Sequence, residues 1–122
     1  MLRALIIDDD PCIHDLARLA LEIHGWQVFT AASAEDAIPL ARDQHPDVIL
    51  LDLQMPITDG PAILKILKND ADLRNVPVIL MTADSVSDQS NSLDDLPVAG
   101  WLAKPFSPKD LSRWIDEKLR ET

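Results

Sequence analysis

The chain has 122 residues, enough for one domain with its own core and too few for two. Apolar residues make up 47% and charged residues 26%, the balance of a globular fold and not of a disordered or fibrous chain. Asp and Glu number 21 against 11 Lys and Arg, and the net charge of -10 has the wrong sign for direct contact with nucleic acid or with an anionic membrane surface. One Cys excludes an internal disulfide framework, and no apolar run approaches the ~20 residues of a membrane span. The apolar start at 2–7 is cut short by Asp8, Asp9 and Asp10, unlike a signal peptide, so a reducing, cytoplasmic location is expected.

Short runs rich in Val, Ile and Leu alternate with helix-period segments five times, which predicts a β-α repeat. The first strand is expected at 2–8. Asp10 then caps a helix with Pro11 in its first position, Ile13, Leu16, Ala17, Ala20 and Ile23 forming one face and Gly25 closing it in the left-handed conformation. A strand at 27–30 follows, and Ser33 with Asp36 has capping-box spacing, so the second helix starts near Ala34. Inside it, Pro39 lacks the N–H that would bond the Glu35 carbonyl, which predicts a kink or a shortened helix. Strands at 48–52 and 78–82 come next. The fourth helical segment, 84–95, carries four Ser and four Asp with only Val86 and Leu93 as apolar residues, and is expected to be short or mobile. A fifth strand at 100–103 precedes a last helix capped by Ser107 with Asp110 and Pro108, whose Leu111, Trp114, Ile115 and Leu119 share one side. The first, third and fourth strands are apolar on both faces and should be central. Alternation with right-handed crossovers gives a doubly wound α/β fold, a parallel sheet covered by helices on both faces, with ligands bound outside the carboxyl ends of the strands.

That edge collects a particular set of side chains. Asp8, Asp9 and Asp10 end the first strand, Asp52 the third and Thr82 the fourth, and Lys104 stands just past the fifth. Asp10 is accounted for as a helix cap, but two more acids after an apolar strand are not, and with Asp52 they require positive charge. Lys104 supplies one unit, and a hard divalent ion such as Mg²⁺, which prefers carboxylate oxygen, supplies the other two. A neutralised pocket of this kind suits phosphoryl transfer, with Asp52 as the nucleophile that becomes an aspartyl phosphate.

Four stretches, LIIDDDP at 5–11, DVILLDLQMPITDG at 47–60, VILMTA at 78–83 and AGWLAKPF at 99–106, together resemble the receiver domain of two-component response regulators, the CheY-like family, over essentially the whole chain, 1–122. The resemblance implies a (βα)5 flavodoxin-like fold with five strands in the order 2-1-3-4-5. It makes Asp52 the phosphoacceptor, Asp9 a direct Mg²⁺ ligand with Asp8 beside it, and the Gln54 carbonyl a further ligand. It also places Thr82 and Lys104 on the phosphoryl oxygens and makes Thr82 and Trp101 the switch pair, Trp standing where Tyr or Phe is more usual. Gln54 and Asp84 would tune dephosphorylation. The implied role is a phosphorylation-switched signalling module that catalyses only its own modification. Its partners would be a sensor histidine kinase or histidine phosphotransfer protein upstream, and downstream a protein bound on the face of the 84–95 segment, the fifth strand and the last helix. A monomer or weak dimer is expected, either a stand-alone regulator or a piece of a longer phosphorelay protein.

Each of these residues alone has a plainer reading: Thr82 as a strand terminus, Lys104 as a surface cation, Trp101 as an edge-strand aromatic. Trp26 and Trp114 read as packing residues, Cys12 as inert, and His14, His24 and His45 lack metal-ligand spacing. Three rivals remain. A haloacid-dehalogenase-like Mg²⁺-dependent phosphohydrolase needs D-x-D-x-T, but Asp8 and Asp10 are followed by Cys12. A flavin carrier needs a hydroxyl- and glycine-rich loop where three acids stand. A degenerate receiver used only as an interaction module has no need of the full acid, Thr and Lys set.

Overall fold

A computed structural model describes residues 2–52, 60–82, 100–103 and 107–121. In chain order the elements are β1 (Arg3–Ile7), α1 (Pro11–Glu22), β2 (Gln27–Ala31), α2 (Ala34–Gln44), β3 (Val48–Asp52), α3 (Gly60–Asn69), β4 (Val78–Thr82), β5 (Gly100–Ala103) and α4 (Pro108–Glu121). The 84–95 segment lies outside the described residues. All strand pairs are parallel, and the sheet order β2-β1-β3-β4-β5 puts the three strands that are apolar on both faces in the middle.

The period of two along these strands builds two cores. Ala4, Ile6, Val48, Leu50, Ile79 and Met81 face α1 and α4, meeting Ala17, Ala20, Leu21, Leu111 and Ile115. Their alternates Leu5, Ile7, Ile49, Leu51, Val78 and Leu80 face α2 and α3, meeting Ala37, Ala41, Ile63, Leu64 and Leu67. Full burial of each Leu or Ile stabilises by about 1.5–3 kcal/mol, so the register of the central strands is strongly specified.

The helix ends follow local chemistry. Asp10 caps α1 by accepting from the Cys12 N–H at 2.9 Å, with Pro11 in the first turn. The helix closes with Gly25 at φ +89° and a Schellman pair, Trp26 N–H to Leu21 C=O at 3.1 Å and Gly25 N–H to Glu22 C=O at 3.0 Å. Trp26, at the following position, is buried, and Trp114 packs against the same core. Ser33 and Ser107 cap α2 and α4 by accepting from the N–H of Asp36 and Asp110.

Several expectations are corrected. β1 is a residue shorter at each end than 2–8 and β2 a residue longer than 27–30, ending at Ala31: Leu2 and Asp8 each keep one bond to β2, through Gln27 and Ala31, without joining the ladder on both sides. α2 runs through Pro39 to Gln44 and is not shortened; Glu35 and Pro39 are both exposed, so water can serve the carbonyl that Pro39 leaves unbonded. Ile23 does not belong to the buried face of α1. At the helix end it is 76% exposed, lining a groove between α1 and α4 with Leu19, His24 and Pro108, while Leu21 takes the buried place. Among the described residues no helix is long and apolar enough to cross a membrane.

Candidate functional site

The sheet order reverses between β1 and β3, because β1 leads outward to β2 and β3 outward to β4 and β5. Outside the carboxyl ends of such a strand pair a parallel sheet opens a crevice. Ile7 is aligned with Leu51, so the residues that follow, Asp8 and Asp52, end neighbouring strands side by side at this crevice. Asp8 is fully buried and Asp52 nearly so, whereas Asp9 is exposed.

One carboxylate oxygen from each of Asp8, Asp9 and Asp52 lies within 4.8 Å of the other two. Three hard, anionic donors converging from two strand ends are the ligand chemistry of a small divalent cation that keeps part of its water shell, and Mg²⁺ fits that set. The turn carrying the first two acids is built by its own hydrogen bonds. The Asp8 N–H donates to the Ala31 carbonyl at 3.0 Å, and the Asp8 Oδ1 accepts from the Asp10 N–H at 2.9 Å. His14 Nε2 meets the Asp8 carbonyl at 2.7 Å.

The remaining predicted residues are placed in part. Asp52 is aligned with Met81, which puts Thr82 one residue further along the same edge, and Thr82 is aligned with Ala103, the residue before Lys104. Trp101 is in β5 opposite Leu80. Of Thr82 and Trp101 the backbone is described and the side chain is not, and Gln54, Asp84 and Lys104 lie outside the described residues. The structure therefore unites Asp8, Asp9 and Asp52 and leaves the other side chains as expectations. No sequence motif singles out His14, which by its spacing is neither a metal ligand nor a phosphoryl carrier. Its signal is positional: it stands four residues after the cap Asp10, on the turn of α1 that faces back to the end of β1.

Residues 4–116 match the family model described as the response regulator receiver domain. The probable transcriptional regulator ycf27 of Porphyridium aerugineum is 38% identical over 119 residues, which are 97% of this chain and 48% of that protein. The polar-differentiation response regulator DivK of Brucella ovis is 33% identical over 103 residues, 84% of each chain. Among solved structures, the chemotaxis response regulator CheY4 of Vibrio cholerae superposes with a TM-score of 0.89 at 26% identity, covering 97% of this chain and 98% of that one. The chain spans about half the length of the ycf27 relative and nearly all of CheY4.

Proposed function

Because the chain belongs to the response regulator receiver domain family, we propose that it is switched by phosphorylation of Asp52, the carboxylate that ends the central strand β3. The family is one of signalling modules, not of classical enzymes. The observation that carries the reading is the convergence of Asp8, Asp9 and Asp52 within 4.8 Å at the crevice between β1 and β3.

In this reading an Asp52 carboxylate oxygen attacks the phosphorus of a phosphohistidine on a histidine kinase or phosphotransfer protein. The new O–P bond forms as the P–N bond breaks, and the released imidazole nitrogen takes up a proton. Asp8, Asp9 and Asp52, with the Gln54 carbonyl, would hold a Mg²⁺ ion, which would supply the positive charge that the transferring phosphoryl oxygens need. Asp52 sits at the end of a buried strand with little freedom, which keeps its oxygen in place for an in-line attack. Lys104 pairs with the phosphoryl group and Thr82 hydrogen-bonds it. The move of Thr82 releases space into which Trp101 turns, so that the 84–95 segment, β5 and α4 change surface together for the downstream partner. Gln54 and Asp84 would tune the later hydrolysis of the acyl phosphate, as the family resemblance implies.

The kinase partner and the cytoplasmic setting follow from this chemistry. The expectation of no direct nucleic-acid contact concerns this acidic domain. The ycf27 relative carries the name of a transcriptional regulator and is matched over about half its length, so we place any contact with DNA outside this acidic domain.

Acetyl phosphate with Mg²⁺ should add one phosphoryl group, at Asp52, as read by mass spectrometry. Labelling that persists in Asp52→Asn, or that runs equally well in excess chelator, removes the reading.

A further inference from the structure

We propose that His14 is a positioning residue for the acid cluster, its ring holding the Asp8 carbonyl and so orienting the Asp8-Asp9 peptide that presents the Asp9 carboxylate. The inference deepens the receiver reading above and rests on it.

Asp8 stands where the sheet ends. Its N–H still reaches β2, donating to Ala31 at 3.0 Å, but after it the chain turns away into α1. His14, six residues on, brings Nε2 to 2.7 Å from the Asp8 carbonyl. A carbonyl oxygen only accepts, so this nitrogen is the donor and carries a proton. On the other side of Asp9, the Asp10 N–H donates to Asp8 Oδ1 at 2.9 Å and Asp10 Oδ1 accepts from Cys12 at 2.9 Å.

The two peptide planes flanking Asp9 are therefore fixed from different directions. The following plane is held through the Asp10 N–H, within the turn itself. The preceding plane contains the Asp8 carbonyl, and its anchor is a side chain from the helix. With both planes fixed, the direction in which Asp9 leaves the backbone is set before any ion arrives. Groups that orient a ligand in this way typically change metal affinity by 10- to 100-fold when removed, through the cost of reorganising the ligand.

The test compares two substitutions in the full chain. His14→Leu keeps apolar bulk and removes the donor; His14→Gln places an amide N–H at similar reach. Titration with Mg²⁺ alone should show affinity weakened by about tenfold in His14→Leu and by no more than about twofold in His14→Gln. Labelling of Asp52 by acetyl phosphate should slow in His14→Leu at limiting Mg²⁺ and recover at saturating Mg²⁺, a split that a general loss of fold would not produce. Should His14→Leu fail to fold, as read by circular dichroism, His14→Asn, whose amide is one methylene too short, replaces it in the contrast with His14→Gln. Normal Mg²⁺ affinity in the donor-free variant, or equal impairment in His14→Gln, overturns the positioning role. An unsubstituted chain that is not labelled at Asp52 overturns the receiver reading itself and this inference with it, whereas a labelled chain indifferent to His14 overturns only the inference.

Discussion

At the amino edge of the sheet, charges meet acceptors or opposite charges. The Arg3 guanidinium donates to the Gln44 carbonyl at 2.6 Å and the Arg3 N–H to Asp47 at 2.7 Å. Arg42 binds Asp70 at 2.6 Å, and the Lys68 ammonium donates to the carbonyls of Arg74 and Val76 at 3.2 Å each. Arg42 and Lys68 lie in the last turns of α2 and α3, where the helix dipole favours a cation. At the carboxyl edge the same fold gathers three carboxylates within 4.8 Å. One edge ties the layers together, and the other gathers like charge in a crevice. In the receiver reading proposed above, the contrast separates residues placed for stability from residues placed for a ligand.

The largest expected effect tests the acidic edge directly. Mg²⁺ at a hundredfold excess over its dissociation constant should stabilise the chain by about 2.7 kcal/mol in urea unfolding. Asp9→Ala should abolish that gain, while Lys104→Ala should keep or strengthen it by removing a competing cation. An Asp9→Ala protein with an undiminished Mg²⁺ response would show that Asp9 is no ligand. Next in size, Asp52→Asn in chelator should raise stability by about 1–2 kcal/mol, since it removes one of three like charges held close together. A loss of stability there would mean that the acid edge is balanced without a metal.

The acidic edge was legible in the sequence because strand periodicity is local and the parallel sheet brings strand ends together. Once 2–8 and 48–52 read as strands and the receiver resemblance set them side by side in the order 2-1-3-4-5, Asp8, Asp9 and Asp52 were expected to meet. Caps were legible for the same reason: Asp10, Ser33 and Ser107 bond N–H groups two or three residues away. Contacts that depend on how helices pack were not. Arg42 finds Asp70 across 28 residues, and the His14 ring reaches Asp8 only because α1 folds back over the end of β1. The left-handed turn at the end of α2 was missed as well. It falls on His45, at φ 49°, with no glycine to announce it.

The basic edge is sharpened by Lys68. Partial burial pulls its ammonium below the ordinary lysine range, so its two carbonyl bonds work against a desolvation cost. Lys68→Met keeps the apolar stem, removes both bonds and should destabilise by about 1 kcal/mol in urea unfolding. A neutral or stabilising result would mean that the desolvation cost cancels the bonds, and that Lys68 does not tie α3 to the segment before β4.

The smallest effect is the most pointed, because it repeats the Asp52→Asn change at the opposite edge and expects the opposite sign. The Arg42 hydrogen bond, followed by the backbone N–H of Asp72, holds the Asp70 carboxyl below the ordinary carboxylate range. A carboxyl whose folded value is depressed binds fewer protons folded than unfolded. Its stabilisation is therefore complete above the unfolded value, about pH 4, and is lost as pH falls through the folded value. Asp70→Asn should lower the urea midpoint at pH 7 modestly, since Arg42 is largely exposed and salt screens the pair. The deficit should shrink below about pH 4, as the unsubstituted protein loses the same charge. A deficit of unchanged size in acid would assign the effect to poorer acceptance of the Asp72 N–H by the Asn side chain, and would leave the ion pair with no share in joining α2 to α3.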